Sequence, residues 1–227
     1  MADPLPHIAQ PAAMIAPQNT ALIVIDVQVD FASAKGVIGR HGVDMSPAEA
    51  AIDRIEALIA AARQAGTTVG FMRVMTRPET DSKALKMWMA RRGTPGSEGI
   101  CRIGSGGEDY YRVRPEPGDI EVSKLAYSSF HGTDFEHQLR ARGIDTLVVT
   151  GLTTDCCVDS TTRDAFHRDF HTFVVSDACA SFDPGLHTHT LNALSQHTSL
   201  LVTTDAVVDA WRNGDDVADA PEKRAVA

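Results

Sequence analysis

The sequence predicts a three-layer α/β fold in which about six mostly parallel strands form one doubly wound sheet with helices on both faces. Three observations predict it. Short runs of β-branched residues recur along the chain, and they are continuous rather than alternating, as in strands covered on both faces of a parallel sheet. Segments of helical period lie between most of these runs. The chain has 227 residues, 43% of them hydrophobic, which suits one large core and leaves little room for a second.

The first expected strand is Ala21–Asp26, and the lead before it, residues 1–17 with Pro4, Pro6, Pro11 and Pro17, lacks periodicity and is expected to be flexible. Ser46-Pro47-Ala48-Glu49 then opens a helix, with Ser46 as N-cap, Pro47 at the first helical position and Glu49 completing a capping box. Ile52, Ile55, Ile59 and Ala62 form its inward stripe, and Gly66 stops it. Thr67–Val74 is the second strand. From about Thr76 to Gly118 frequent Gly and Pro break the rhythm, and this stretch reads as an excursion over the sheet edge that shapes a pocket or a subunit contact.

Ile120–Lys124 is the third strand, followed by a helix from near Asp134 to Gly143 that buries Phe135 and Leu139. Thr146–Gly151 is the fourth, and a helix from about Asp155 to Arg168 turns Val158, Thr161, Ala165 and Phe166 inward. Thr172–Asp177, a helix over Leu186–Gln196, Leu200–Thr203 and a short helix after Asp205 complete the pattern. The domain thus spans 18–213, and 214–227 reads as a flexible tail.

The net charge of −9 and pI near 5.4 come without the Lys and Arg clusters that phosphate backbones require, so no nucleic-acid partner is expected. Apolar runs such as Ala21–Ile25 are far short of the ~20 residues of a membrane span. The start of the chain lacks the basic and apolar regions of a secretory signal. Four cysteines, two of them adjacent at Cys156 and Cys157, suit free thiols in a reducing cytoplasm better than a disulfide framework.

Open α/β sheets bind ligands beyond the carboxyl ends of their strands, and three complementary groups fall there. Asp26 ends the first strand, Lys124 ends the third, and Cys157 follows the fourth across a tight turn. A thiol in a first helical turn is expected to have a lowered pKa, because unpaired N–H groups and the helix dipole favour the thiolate. Lys124 would add positive charge, and Asp26 would take the thiol proton and pass it to a leaving amine. Taken singly, each has an ordinary reading as a packed thiol, a turn cap or a solvated cation. Their joint placement favours catalysis.

These residues also carry a family resemblance. Leu22-Ile23-Val24-Ile25-Asp26-Val27-Gln28, followed by Asp30-Phe31, resembles the first-strand signature of the isochorismatase-like cysteine hydrolases. Lys124 with Tyr127-Ser128-Ser129-Phe130 and Gly132-Thr133 is similar to that family's lysine segment, and Gly151 to Val158, continued by Ser160-Thr161-Thr162-Arg163-Asp164-Ala165, to its cysteine turn. The resemblance covers about residues 18–212. It implies a triad of Asp26, Lys124 and Cys157, a cis peptide at Leu152–Thr153, and an oxyanion hole from the backbone N–H groups of Thr153 and Cys157. It also implies a homodimer or homotetramer with pockets near subunit contacts. Cys156 reads as packing.

Within this superfamily, nicotinamidases hold a metal with an Asp and several His residues after the second strand. Between Gly42 and Phe130 this chain has no histidine, so no metal and no cofactor are expected. His171, His187, His189 and His197 read as surface or core residues rather than partners of the thiol. The pattern most resembles the N-carbamoylsarcosine amidase and ureidoacrylate amidohydrolase group, with one departure. Those relatives usually carry arginine two residues after the lysine, where this chain has Ala126. Arg73, Arg77, Arg91, Arg92 and Arg102 are the candidate replacements for gripping a carboxylate. Gln28, Phe31, Tyr127 and Phe130 flank the triad motifs and are candidate substrate contacts, with Trp88 a further one from the excursion or a neighbouring subunit. The expected activity is hydrolysis of a C–N bond in a small amide or N-carbamoyl/ureido compound, through a covalent Cys157 intermediate that releases ammonia. Non-covalent ether or imide hydrolysis and a non-catalytic binding protein remain as alternatives.

Overall fold

The computed structural model describes residues 5–212. Six parallel strands form one sheet: β1 (Thr20–Ile25), β2 (Thr68–Val74), β3 (Ile120–Lys124), β4 (Thr146–Leu152), β5 (His171–Ala180) and β6 (Leu200–Val202). The helices are α1 (Val29–Ala32), α2 (Val37–Arg40), α3 (Ser46–Ala65), α4 (Lys83–Arg91), α5 (Phe135–Ala141), α6 (Asp159–Phe166), α7 (Pro184–His197) and α8 (Thr204–Arg212). The strand order β3-β2-β1-β4-β5-β6 means that the chain starts mid-sheet, winds to one edge, and returns to wind the other way. The reversal lies between β1 and β4, which stay paired as far as Ile25 and Gly151, and the carboxyl ends at such a switch point are where open α/β sheets bind ligands.

Continuous apolar strands follow from burial on both faces. Leu22 and Val24 of β1 join Val69, Phe71, Val148 and Phe173 beneath α3 and α8, while Ala21, Ile23 and Ile25 join Ile120, Val122, Leu147 and Val174 beneath α5 and α7. The edge strand β3 is the exception: Ile120, Val122 and Lys124 are buried, and Glu121 and Ser123 are exposed. Ile52, Ile55, Ile59 and Ala62 form the buried stripe of α3, and Gly66 closes that helix with φ 72°.

Four expectations about local structure are corrected. Ser46 is the first residue of α3 rather than its cap, and no capping box forms. Asp44 accepts both the backbone N–H of Ser46 (2.9 Å) and its hydroxyl (2.8 Å), while Glu49 is taken by Tyr111 (2.7 Å) and Arg112 (2.8 Å). Phe166 is exposed, because the buried face of α6 is Thr161, Thr162 and Ala165. The excursion does not stay at the sheet edge: its second half folds back along the chain that leaves β1, with Asp30 N bonded to Gly107 O (3.0 Å), Val29 N to Asp109 O (2.9 Å) and Tyr111 N to Val27 O (2.9 Å). The lead up to residue 17 is tied down in its described part, where Ile8 N donates to Leu201 O (2.7 Å) and fully buried Ile15 accepts the indole N–H of Trp211 (3.0 Å). Its lack of periodicity reflects anchoring at single points, a one-residue bridge to β6 and the carbonyl of Ile15, rather than by a helix or strand face. The expectations for residues 1–4 and for the tail lie outside the described residues.

Candidate active site

Asp26 follows the last residue of β1, and strict alternation would point its side chain under α3, away from the face that holds Lys124. A left-handed backbone at Asp26 (φ 51°) breaks the alternation. Lys124, two strands away at the end of β3, reaches across, and its Nζ lies 2.8 Å from Asp26 Oδ2 with both side chains almost wholly excluded from solvent. Its ammonium also donates to Ala126 O (3.1 Å), and the other carboxylate oxygen of Asp26 is buried without a hydrogen-bond partner.

A buried ion pair gives up the hydration of both charges, so it persists only where geometry compensates. Burial pushes the Asp26 carboxyl above the ordinary carboxylate range, and Lys124 only partly opposes this. For Lys124, burial favours the neutral amine, but Asp26 and Cys157 beside it more than offset that, so it stays an ammonium. The site therefore holds a fixed cation and a carboxylate with raised basicity.

Cys157 arrives from β4. Gly151 has φ 118°, and a Cβ there would meet Ile25 O at 2.1 Å, so only glycine lets the end of β4 press against the end of β1. The register between β4 and β5 shifts at this place, between Val149 and Gly151. The Leu152–Thr153 peptide is cis. A single wide π turn, Thr154–Val158, precedes α6, and the carbonyl of Thr153 accepts the N–H groups of Cys156 (3.1 Å) and Val158 (3.2 Å). Cys157, buried on this turn, neighbours both members of the Asp26–Lys124 pair.

The expected low thiol pKa is corrected. The hydrogen bond with Cys156, burial and the negative charge of Asp26 all push the Cys157 thiol well above its ordinary value, and Lys124 only partly opposes them. Cys156 is shifted downward, chiefly by its contact with Cys157. The dipole argument assumes a helix end open to water, whereas this thiol is buried on a turn beside a carboxylate. At rest Cys157 is a neutral thiol with the Asp26 carboxyl beside it.

The other candidates separate by position. Gln28 is fully buried with its amide in use: Nε2 donates to Val74 O and Glu108 O (both 2.8 Å), and Oε1 accepts Val74 N (2.7 Å). It brackets β2 and the excursion and is not free for substrate. Phe31 packs into the α3-side core. Phe130 is a core aromatic, 4.7 Å from Phe135 and 5.8 Å from Phe170 between ring centroids. Tyr127 is half exposed, and its phenol pKa is raised by partial burial and by the neighbouring Cys156 and Cys157. Among the arginines, Arg73 pairs with Glu121 (2.9 Å), Arg102 grips Asp81 with two bonds of 2.6 and 2.7 Å, and Arg92 stacks on exposed Trp88.

Two contacts beside the site were not read from the sequence. The hydroxyl of Thr154 on the cysteine turn is bonded to His187 Nδ1 at 2.8 Å. Fully buried Cys101 returns from the excursion toward Asp26, its N–H bonded to Asp30 Oδ2 (2.8 Å). Neither contact joins chain neighbours, and no local pattern marks them. Among the described residues, no group of three or more His, Cys, Asp or Glu side chains is arranged to hold a metal ion.

Residues 20–206 match the model of the isochorismatase domain family. The ureidoacrylate amidohydrolase RutB of Methylobacterium radiotolerans is 39% identical over 195 residues, covering 79% of this chain and 74% of that protein. A cysteine hydrolase from Pseudomonas syringae pv. phaseolicola superposes with a TM-score of 0.76 at 26% identity, over 94% of this chain and 100% of the other. The N-carbamoylsarcosine amidase of Thermoplasma acidophilum superposes with a TM-score of 0.66 at 28% identity, over 82% of this chain and 97% of the other.

Proposed function

Because this chain belongs to the isochorismatase domain family and is similar over most of its length to ureidoacrylate amidohydrolases, we propose that it is an amidohydrolase using Asp26, Lys124 and Cys157 to release ammonia from a small amide or ureido compound. The observation that carries this reading is the buried 2.8 Å Asp26–Lys124 pair with the Cys157 thiol beside it.

In the proposed cycle, Asp26 takes the proton of Cys157 as sulfur attacks the carbonyl carbon. A base of raised pKa suits a thiol of raised pKa, since the proton moves only as the new C–S bond forms. The N–H groups of Thr153 and Cys157 receive the oxyanion. Asp26 then hands the proton to the departing nitrogen, ammonia leaves, and Cys157 carries a thioester or a carbamoyl group. Water, deprotonated by Asp26, hydrolyses it. An N-substituted carbamate released in this way breaks down to carbon dioxide and a second amine. Lys124 keeps its charge throughout and holds the carboxylate in place.

The substrate grip differs from an arginine two residues beyond the lysine, because Ala126 stands there and contributes its carbonyl to Lys124. Arg73 and Arg102 are engaged with Glu121 and Asp81. Of the four sequence candidates for substrate contact, Tyr127 is retained. Four free cysteines support a cytoplasmic location, and no helix among the described residues is long and apolar enough to cross a membrane.

The test is ammonia release over a panel of amides, N-carbamoyl amino acids, ureidoacrylate and biuret, followed by Cys157→Ala and Asp26→Ala on the best substrate. Both variants are expected to lose about a thousandfold or more in kcat, with an acyl or carbamoyl adduct on Cys157 in the native protein. Full turnover by Cys157→Ala with Asp26→Ala inactive would replace covalent catalysis with direct attack by water.

A further inference from the structure

The turn that carries Cys157 begins at Thr154, whose hydroxyl lies fully inside the protein. Its partner, His187 Nδ1 at 2.8 Å, lies 33 residues further along the chain. A buried hydroxyl left without a partner is strongly unfavourable, so this bond ties the turn to whatever holds His187. That support is firm. His187 sits in the first turn of α7, where the Asp183 side chain caps Leu186 N (2.9 Å) and the Asp183 carbonyl accepts His187 N (3.0 Å). Further along, α7 is anchored in the core by Leu191 and Leu194.

Thr154 is placed where a small displacement matters. It follows Thr153, whose N–H is assigned to the oxyanion hole, and it precedes Cys157 within the same wide turn. Within the turn itself, Thr153 O accepts the N–H groups of Cys156 and Val158, and the N–H of Asp159 at the start of α6 donates to the carbonyls of Thr154 and Cys156; the Thr154 hydroxyl adds a tie to an element outside it. Burial, partly opposed by nearby Asp155, lowers the pKa of His187, so its ring is neutral and can serve the threonine hydroxyl as acceptor or donor.

We propose that His187 is a positioning residue: through Thr154 it fixes the cysteine turn so that the thiol of Cys157 and the oxyanion-hole N–H groups face the same reacting carbonyl. It bonds the turn and not the thiol, so it is no member of a Cys–His dyad. The inference rests on the proposed nucleophilic role of Cys157.

The experiment compares the full-length protein with His187→Ala, His187→Asn, Thr154→Val and the double variant Thr154→Val/His187→Ala. Three quantities are read: kcat and KM on the best amide, the second-order rate of Cys157 alkylation by iodoacetamide followed by mass spectrometry, and Tm. His187→Ala is expected to lower kcat and the alkylation rate about tenfold or more while KM stays within about twofold. His187→Asn, whose amide can meet the threonine hydroxyl, restores most of the loss. The double variant is no worse than the poorer single variant, because both remove one bond. The proposal is overturned if His187→Ala leaves kcat and alkylation unchanged, if the two single losses multiply in the double variant, or if the losses follow Tm and His187→Asn does not restore them. Alkylation also separates the two readings: a protein that turns over no amide refutes the proposed function, yet the alkylation rates still decide the role of His187.

Discussion

Asp26 and Cys157 have their pKa values pushed the same way, and that fixes the sign of the pH dependence. Burial raises Asp26, so the base is lost by protonation at a pH above the ordinary carboxylate range, and the acid limb of kcat/KM should be displaced upward accordingly. Cys157 is held as a neutral thiol, so its alkylation rate should keep climbing with pH up to its ordinary value of 9.0 and beyond. A plateau near neutral pH would show a preformed thiolate and contradict the site electrostatics. The proximity of Asp26, Lys124 and Cys157 was legible in the sequence because each ends a strand or lies in the turn after one. Their ionisation was not, since the sequence shows a thiol near a helix start but neither its burial nor the carboxylate against it. Gln28 shows the same limit. It stands next to a catalytic motif, yet its amide is consumed by Val74 and Glu108, partners 46 and 80 residues away.

At the scale of elements, burial on both faces writes a strand into the sequence as a continuous apolar run, whereas the edge strand β3 alternates, with Glu121 and Ser123 exposed between Ile120, Val122 and Lys124. The wide turn at Thr154–Val158 could not be read from the sequence, because a π turn uses the same residues as the start of an α-helix. The capping box of α3 failed for a related reason: Ser46 and Glu49 have the right spacing, but Asp44 and Arg112 compete for them. Gly151 joins element to function. Gly151→Ala would put a methyl group 2.1 Å from Ile25 O at a φ of 118°, forcing β4 away from β1. The expected destabilisation is about 1–3 kcal/mol, with a larger proportional loss in kcat, since the shift separates Cys157 from Asp26. Circular dichroism melting and steady-state kinetics check this; unchanged kcat in a destabilised but folded variant would show that the strand ends need not touch.

For the whole molecule, the doubly wound order places β1 and β4 at the point where the winding reverses, so the ends that carry Asp26 and lead to Cys157 lie side by side. The excursion between β2 and β3 supplies what the sheet lacks, laying residues 100–111 beside the chain that leaves β1. It was legible as an irregular segment and not as a fold-back, because its contacts are backbone hydrogen bonds that leave no side-chain pattern. Its helix α4 buries none of its nine residues within the chain, and Met87 and Trp88 are 53% and 45% exposed. A helix this short is marginal alone, so a covering surface would stabilise it. The homodimer or homotetramer implied by the family resemblance would supply that surface, with a second copy of this chain as occupant. Light scattering is expected to give a mass of two or four chains, and Met87→Asp/Trp88→Asp to reduce it while leaving the alkylation chemistry of Cys157 intact. A native protein that scatters as one chain, or a double variant that keeps the native mass, would remove α4 from the interface and leave the excursion to act within its own subunit.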